Sequence, residues 1–160
     1  MFGARALVLL ASGALAACGG AAAKPPVPAG PAPKVVTLAV LPAESDAFPT
    51  AARATTDSLA HAHVTGVGRT QLSKVSLEVV QLSIECVEPS PACYQAVARS
   101  LSADRLLFAQ IVPGRKRKQL KVTVSLFSLD DPLPHSAERV FASEQEAAQK
   151  VGELVGEVTQ

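Results

Sequence analysis

The sequence has no tryptophan, one tyrosine and five phenylalanines, so aromatic residues make up only 4% of its 160 positions. Charge of either sign is also scarce, with fifteen Lys and Arg against fourteen Asp and Glu and a formal net charge of +1. Phosphate binding needs a net or strongly clustered excess of cations, so a nucleic-acid partner is not expected. Catalytic patterns are missing as well. There is no Gly-x-Ser-x-Gly elbow, no Ser-x-x-Lys and no His-Glu-x-x-His. Gly66-Val67-Gly68 lacks the third glycine and the following helix of a phosphate loop, and the carboxylates are scattered singly except Asp130-Asp131, which precede a proline in a turn. Neither an enzyme nor a cofactor is expected.

What is present begins with an address. Residues 1–5 carry one positive charge, residues 6–17 are apolar or small, and Leu15-Ala16-Ala17-Cys18 follows at once. The apolar run is shorter than the roughly 20 residues that span a bilayer and ends in small residues, as a cleavable export signal does. The four-residue phrase resembles the lipobox of bacterial lipoproteins. That resemblance implies cleavage after residue 17, a diacylglyceryl group on Cys18 and an acylated amino terminus. Two or three acyl chains, at about 0.8 kcal/mol per buried CH2, hold a protein durably where one chain holds marginally. Gly19 rather than Asp follows Cys18, which by the enterobacterial sorting pattern favours the outer membrane over the inner, with the domain facing the periplasm.

Residues 18–34 read as a linker, since residues 19–34 contain five prolines and almost nothing able to bury. In polyproline II conformation, at about 3.1 Å per residue, it reaches roughly 50 Å. The remainder, residues 35–160, has the length of one domain.

Residues 35–41 and 105–112 are apolar on both faces, as strands covered on each side are. Helices are expected from Pro49 to about residue 62, with Asp46 and Pro49 placed at its start, and over 91–101, with Ser90 as N-cap and Cys93, Val97 and Leu101 on one face. Residues 64–70 form a weak, glycine-interrupted edge strand. Residues 77–84 fit both periods, and Ser76 as an N-cap favours helix. Leu120, Val122, Val124 and Leu126 alternate with Lys121, Thr123 and Ser125, the period of a half-buried strand, and a short strand over 138–142 follows the turn at Asp130. Ser143 and Glu146 form a capping box before a stripe of Ala147, Val151, Leu154, Val155 and Val158. The expected fold is α/β of the α+β type, a single mixed β-sheet packed with helices in the order β-α-β-α-α-β-β-β-α.

That order, with LAVLP at residues 38–42 and ACYQAVARSLSADRLLFAQIV at residues 92–112, resembles the TolB amino-terminal-like domain of periplasmic and outer-membrane proteins. The resemblance covers residues 37–142. In that family a helix ends in a Leu-Gly-Ala-Asp-like phrase before a strand and hairpin, and here Leu101-Ser102-Ala103-Asp104 fills the place, with serine where the family has glycine. These are packing motifs, so the resemblance bears on fold rather than activity.

With Cys18 assigned to lipid, Cys86 and Cys93 remain as a pair in an exported chain, and a disulfide is the leading reading. A zinc site would need two further ligands, and a redox pair favours the Cys-x-x-Cys spacing. His61 and His63, two residues apart, point about 200° from one another on a helix, which suits the end of a helix better than a metal. His135 is isolated in a turn.

The densest charge is Arg115-Lys116-Arg117-Lys118 with Lys121, five of the twelve basic residues after Lys34. No aromatic residue interleaves with it to stack on bases. Two readings stay open: a solvated hairpin tip that resists edge pairing, or a contact for an anionic surface or ligand through the hairpin 113–121. The functional expectation is a non-enzymatic envelope assembly or accessory lipoprotein that binds another protein, anchored to the membrane by lipid. The alternative is a binding module for an anionic ligand or lipid surface.

Overall fold

A computed structural model describes residues 34–160 apart from 87 and 132. The signal segment, Cys18 and the linker up to residue 33 lie outside the described residues. Nine elements follow one another: β1 (Thr37–Val40), α1 (Pro49–Ala60), β2 (Arg69–Leu72), α2 (Leu77–Ser83), α3 (Pro91–Ser100), β3 (Arg105–Pro113), β4 (Leu120–Ser128), β5 (His135–Phe141) and α4 (Glu144–Thr159). The strands form one sheet in the order β2-β1-β3-β4-β5, parallel across β1 with β2 and β3, and antiparallel from β3 onward. The expected element order and the mixed α+β sheet are therefore both present.

The chain moves outward from β1 to β2 and then back across β1 to β3. Right-handed crossovers in opposite directions place their helices on opposite faces, and the core divides accordingly. Leu38, Val40, Leu107, Leu120, Val122, Val124 and Phe141 pack with α1 and α4 on one face. Ala39, Leu41, Leu106, Phe108 and Phe127 pack with α2 and α3 on the other, where Tyr94 leans on Phe108 and Phe127 at ring separations of 5.2 and 5.7 Å. The two-sided burial of β1 explains its apolar run, since alternate residues serve different layers.

Strong local signals appear where expected. Ser143 Oγ accepts the Glu146 N–H at 3.2 Å, and the five stripe residues of α4 are all buried. The Glu146 carboxylate, however, accepts from Ala142 N at 2.8 Å, one residue before the cap. That bond, with Lys150 beside it, holds Glu146 below the usual carboxylate range. Ser90 caps α3 by accepting from Cys93 N at 3.2 Å.

Other boundaries differ from expectation. Asp46 does not start α1. The cap position is Phe48, which has no side-chain bond to offer. The orphan donors at that end are met from a distance, by Glu144 accepting from Thr50 N and, at 3.1 Å, from Ala51 N. Ser76 precedes α2 as expected, but its hydroxyl makes no capping bond. The edge strand lies at Arg69–Leu72 rather than 64–70, because its register is set by pairing Thr37 with Arg69 and Val40 with Leu72. The final strand begins earlier than expected, at His135, since all seven of its residues find partners on β4. His135 thus opens a strand instead of sitting in the turn before it.

Candidate functional site

Helices α2 and α3 cover only part of their face of the sheet. Successive rows across β3, β4 and β5 on that face are Phe108–Ser125–Ser136, then Gln110–Thr123–Glu138, then Val112–Lys121–Val140. The first row closes the aromatic cluster, and its two serines bond to one another at 2.8 Å. Beyond it the face is open: Val112 is 44% and Val140 55% exposed. Lys121 donates diagonally to Glu138 at 3.1 Å, leaving the two valines on either side as the apolar part of the surface.

The 113–121 hairpin stands at the end of this face. Gly114 N donates to Gln119 O at 2.8 Å, and a Cβ on Gly114 would meet that of Gln119 at 2.6 Å, so only glycine fits the neck of the turn. Lys118 takes a left-handed φ of 69° to reverse the chain. All four residues of 115–118 are exposed. Among the described residues none of their side chains pairs with a carboxylate within 4.0 Å. Beneath them an open groove of about 640 Å³ runs between Arg115, Lys116, Gln119 and the open face at Val112, Lys121 and Val140. A second groove, of about 460 Å³, separates Lys118 from the start of α4 at Glu144.

The basic residues singled out in the sequence are thus brought together with a surface that sequence reasoning missed. The signal was there in part, since Lys121, Thr123 and Ser125 alternate with core residues and so share a face. That Val112 and Val140 join them follows only from the strand pairing.

The remaining candidates are dispersed. Cys86 and Cys93 are joined by a disulfide, their Cα atoms 5.6 Å apart. Gln81 Nε2 donates to Cys93 Sγ at 3.2 Å, so the bridge is packed into the α2–α3 layer. His61 stands at the end of α1 with Nδ1 2.7 Å from Asp57 O, and His63 follows outside the helix. Among the described residues no group of three His, Cys, Asp or Glu side chains is arranged to hold a metal, and no helix is long and apolar enough to cross a membrane. At the opposite edge, Leu72 at the end of β2 is 62% and Leu82 on α2 is 68% exposed.

No family model matches the sequence, and no curated protein sequence matches it. Two solved structures are similar in outline. The LpoB C-terminal domain from Salmonella enterica is 14% identical, with a TM-score of 0.41 over 66% of this chain and 82% of that one. A dodecamer of a PelC point variant from Paraburkholderia phytofirmans is 14% identical, with a TM-score of 0.38 over 78% of this chain and 85% of that one. Likeness at this level carries no function to the present chain.

Proposed function

We propose that this chain is an exported lipoprotein, anchored through Cys18 to the outer membrane and facing the periplasm, whose single domain works without catalysis as an envelope assembly or accessory module that binds another protein. The resemblance of its leader to the lipobox and of residues 37–142 to TolB amino-terminal-like domains belongs to the same reading. The observation that carries it is the half-covered sheet. Val112 and Val140 stay exposed in one row of a regular antiparallel surface that α2 and α3 leave uncovered, beside the cations of residues 115–118.

A photo-crosslinking residue placed at Val140 of the full chain, in the cell that makes it, tests the reading. The expected result is a discrete protein adduct from Val140 and none from Gln149, an exposed residue of α4. No adduct from Val140, or the same adduct from both sites, overturns it. The second reading, an anionic ligand or lipid surface held by the hairpin 113–121, is favoured by the four cations of residues 115–118, which pair with no carboxylate among the described residues.

A further inference from the structure

The protein-binding reading says nothing about which chemistry the open face prefers or from which side the partner comes, and the register of the sheet bears on both. Arg105, at the start of β3, lies beside Leu38 on β1. Pro113, at the other end of β3, opens the basic turn. Eight steps of a strand at about 3.3 Å carry the chain roughly 26 Å between them. The segment that leads back toward Cys18 joins the domain at the Arg105 end. Lys34 Nζ is held there at 2.7 Å by Asp104 Oδ1, and the same carboxylate accepts from Thr37 N at 2.9 Å. The basic turn therefore stands at the end of the sheet opposite Lys34.

Composition narrows the partner further. The phenylalanines of the sheet, Phe108, Phe127 and Phe141, are each no more than 1% exposed, and Tyr94 is 8% exposed. The open face thus has no ring to stack on a sugar or a base. It offers two aliphatic side chains, strand-paired hydroxyl and amide groups, and at its rim four cations that pair with no carboxylate among the described residues.

We infer that the open face of β3-β4-β5 and the 115–118 turn together bind an acidic, aliphatic-bearing segment of a partner protein, presented at the end of the sheet opposite Lys34. This rests on the protein-binding reading and deepens it. The cations meet the carboxylates and steer the encounter. Val112 and Val140 take the aliphatic side chains, and Lys121 with Glu138 divides the two apolar positions.

The test uses the full chain carrying Cys18→Ala, so that it is free of lipid, and four probes. These are a short labelled peptide of Asp, Glu and Leu, its Asn/Gln/Leu counterpart, polygalacturonate, and phosphatidylglycerol vesicles. The acidic peptide is expected to bind at least about tenfold tighter than its amide counterpart. Replacing Arg115, Lys116, Arg117 and Lys118 together by Gln is expected to remove that preference while leaving the melting temperature unchanged. Val140→Ser should weaken both peptides alike, and added salt should reproduce the loss of preference on the unaltered tip.

Equal binding of the two peptides, or an acidic preference that survives the four Gln substitutions, overturns the inference. So does tighter binding to the vesicles or to polygalacturonate than to the acidic peptide. If Val140 still cross-links to a protein in the cell while the acidic peptide shows no preference, the partner chemistry is wrong and the docking reading stands. If Val140 gives no adduct, the docking reading itself fails.

Discussion

Asp104 and Thr37 hold one another twice across the junction of β1 and β3: the Thr37 N–H donates to Asp104 Oδ2 at 2.9 Å, and the Asp104 N–H donates to the Thr37 carbonyl at 2.8 Å. Lys34 closes on the other carboxylate oxygen at 2.7 Å. One side chain therefore sets where the central strand begins and where the preceding segment meets the domain.

The bond from Lys34 and the backbone donor of Thr37 hold the Asp104 carboxyl below its ordinary value. A carboxylate with a depressed folded-state pKa contributes stability that is present above its unfolded value, about 3.9, and is lost as pH falls through the folded one. Asp104→Ala is expected to cost about 1–2 kcal/mol at pH near 7. Urea denaturation should show the gap between the two proteins narrowing below pH of about 4. A gap that stays constant into acid would mean the carboxylate's charge plays no part.

Ser102 follows α3 with φ of 52°, the left-handed region in which a Cβ is strained. The geometry is that of a helix stop with Ala103 N donating to Ala98 O at 2.9 Å and Ser102 N to Arg99 O at 3.0 Å. Ser102 thus takes the left-handed position that closes the helix. Ser102→Gly should raise stability by up to about 1 kcal/mol, relieved strain outweighing the added freedom of the unfolded chain. A lower melting temperature would contradict this account.

Thr55 is fully buried in α1, and its Oγ1 meets no hydrogen-bond partner among the described residues. Thr55→Val keeps the shape and removes the stranded hydroxyl. It is expected to stabilise by about 1 kcal/mol, read as a higher denaturation midpoint with an unchanged slope.

The Cys86–Cys93 bridge closes a loop of eight residues, counting both cysteines. In the chain-entropy description such a loop contributes about 2.5 kcal/mol. Changing both cysteines to Ala should lower stability by about that amount, and intact-mass measurement of unreduced, exported protein should find no free thiol at either position.

For the anchor, Cys18→Ala in the full chain is expected to move the protein from the membrane fraction to the soluble one. Unchanged processing and retention would reject lipidation.

Elements governed by neighbours in sequence were legible without coordinates. The stripe and capping box of α4, the Ser90 cap of α3 and the alternation of β4 depend on contacts three or four residues apart, or on a period of two, and both are written in the residue order. The pairing of Cys86 with Cys93 was legible from the cysteine count and the expectation of export. Decisions made by residues far apart were not. The start of α1 is met by Glu144, 94 positions from Thr50, and the position of β2 is dictated by its register on β1, so neither has a local signal. The candidate site divides in the same way. The run of cations at 115–118 is a property of the sequence alone. Its place beside Val112 and Val140, at the end of the sheet opposite Lys34, exists only once strand pairing has brought the strands side by side, because hydrogen-bond register is a relation between segments and not within one.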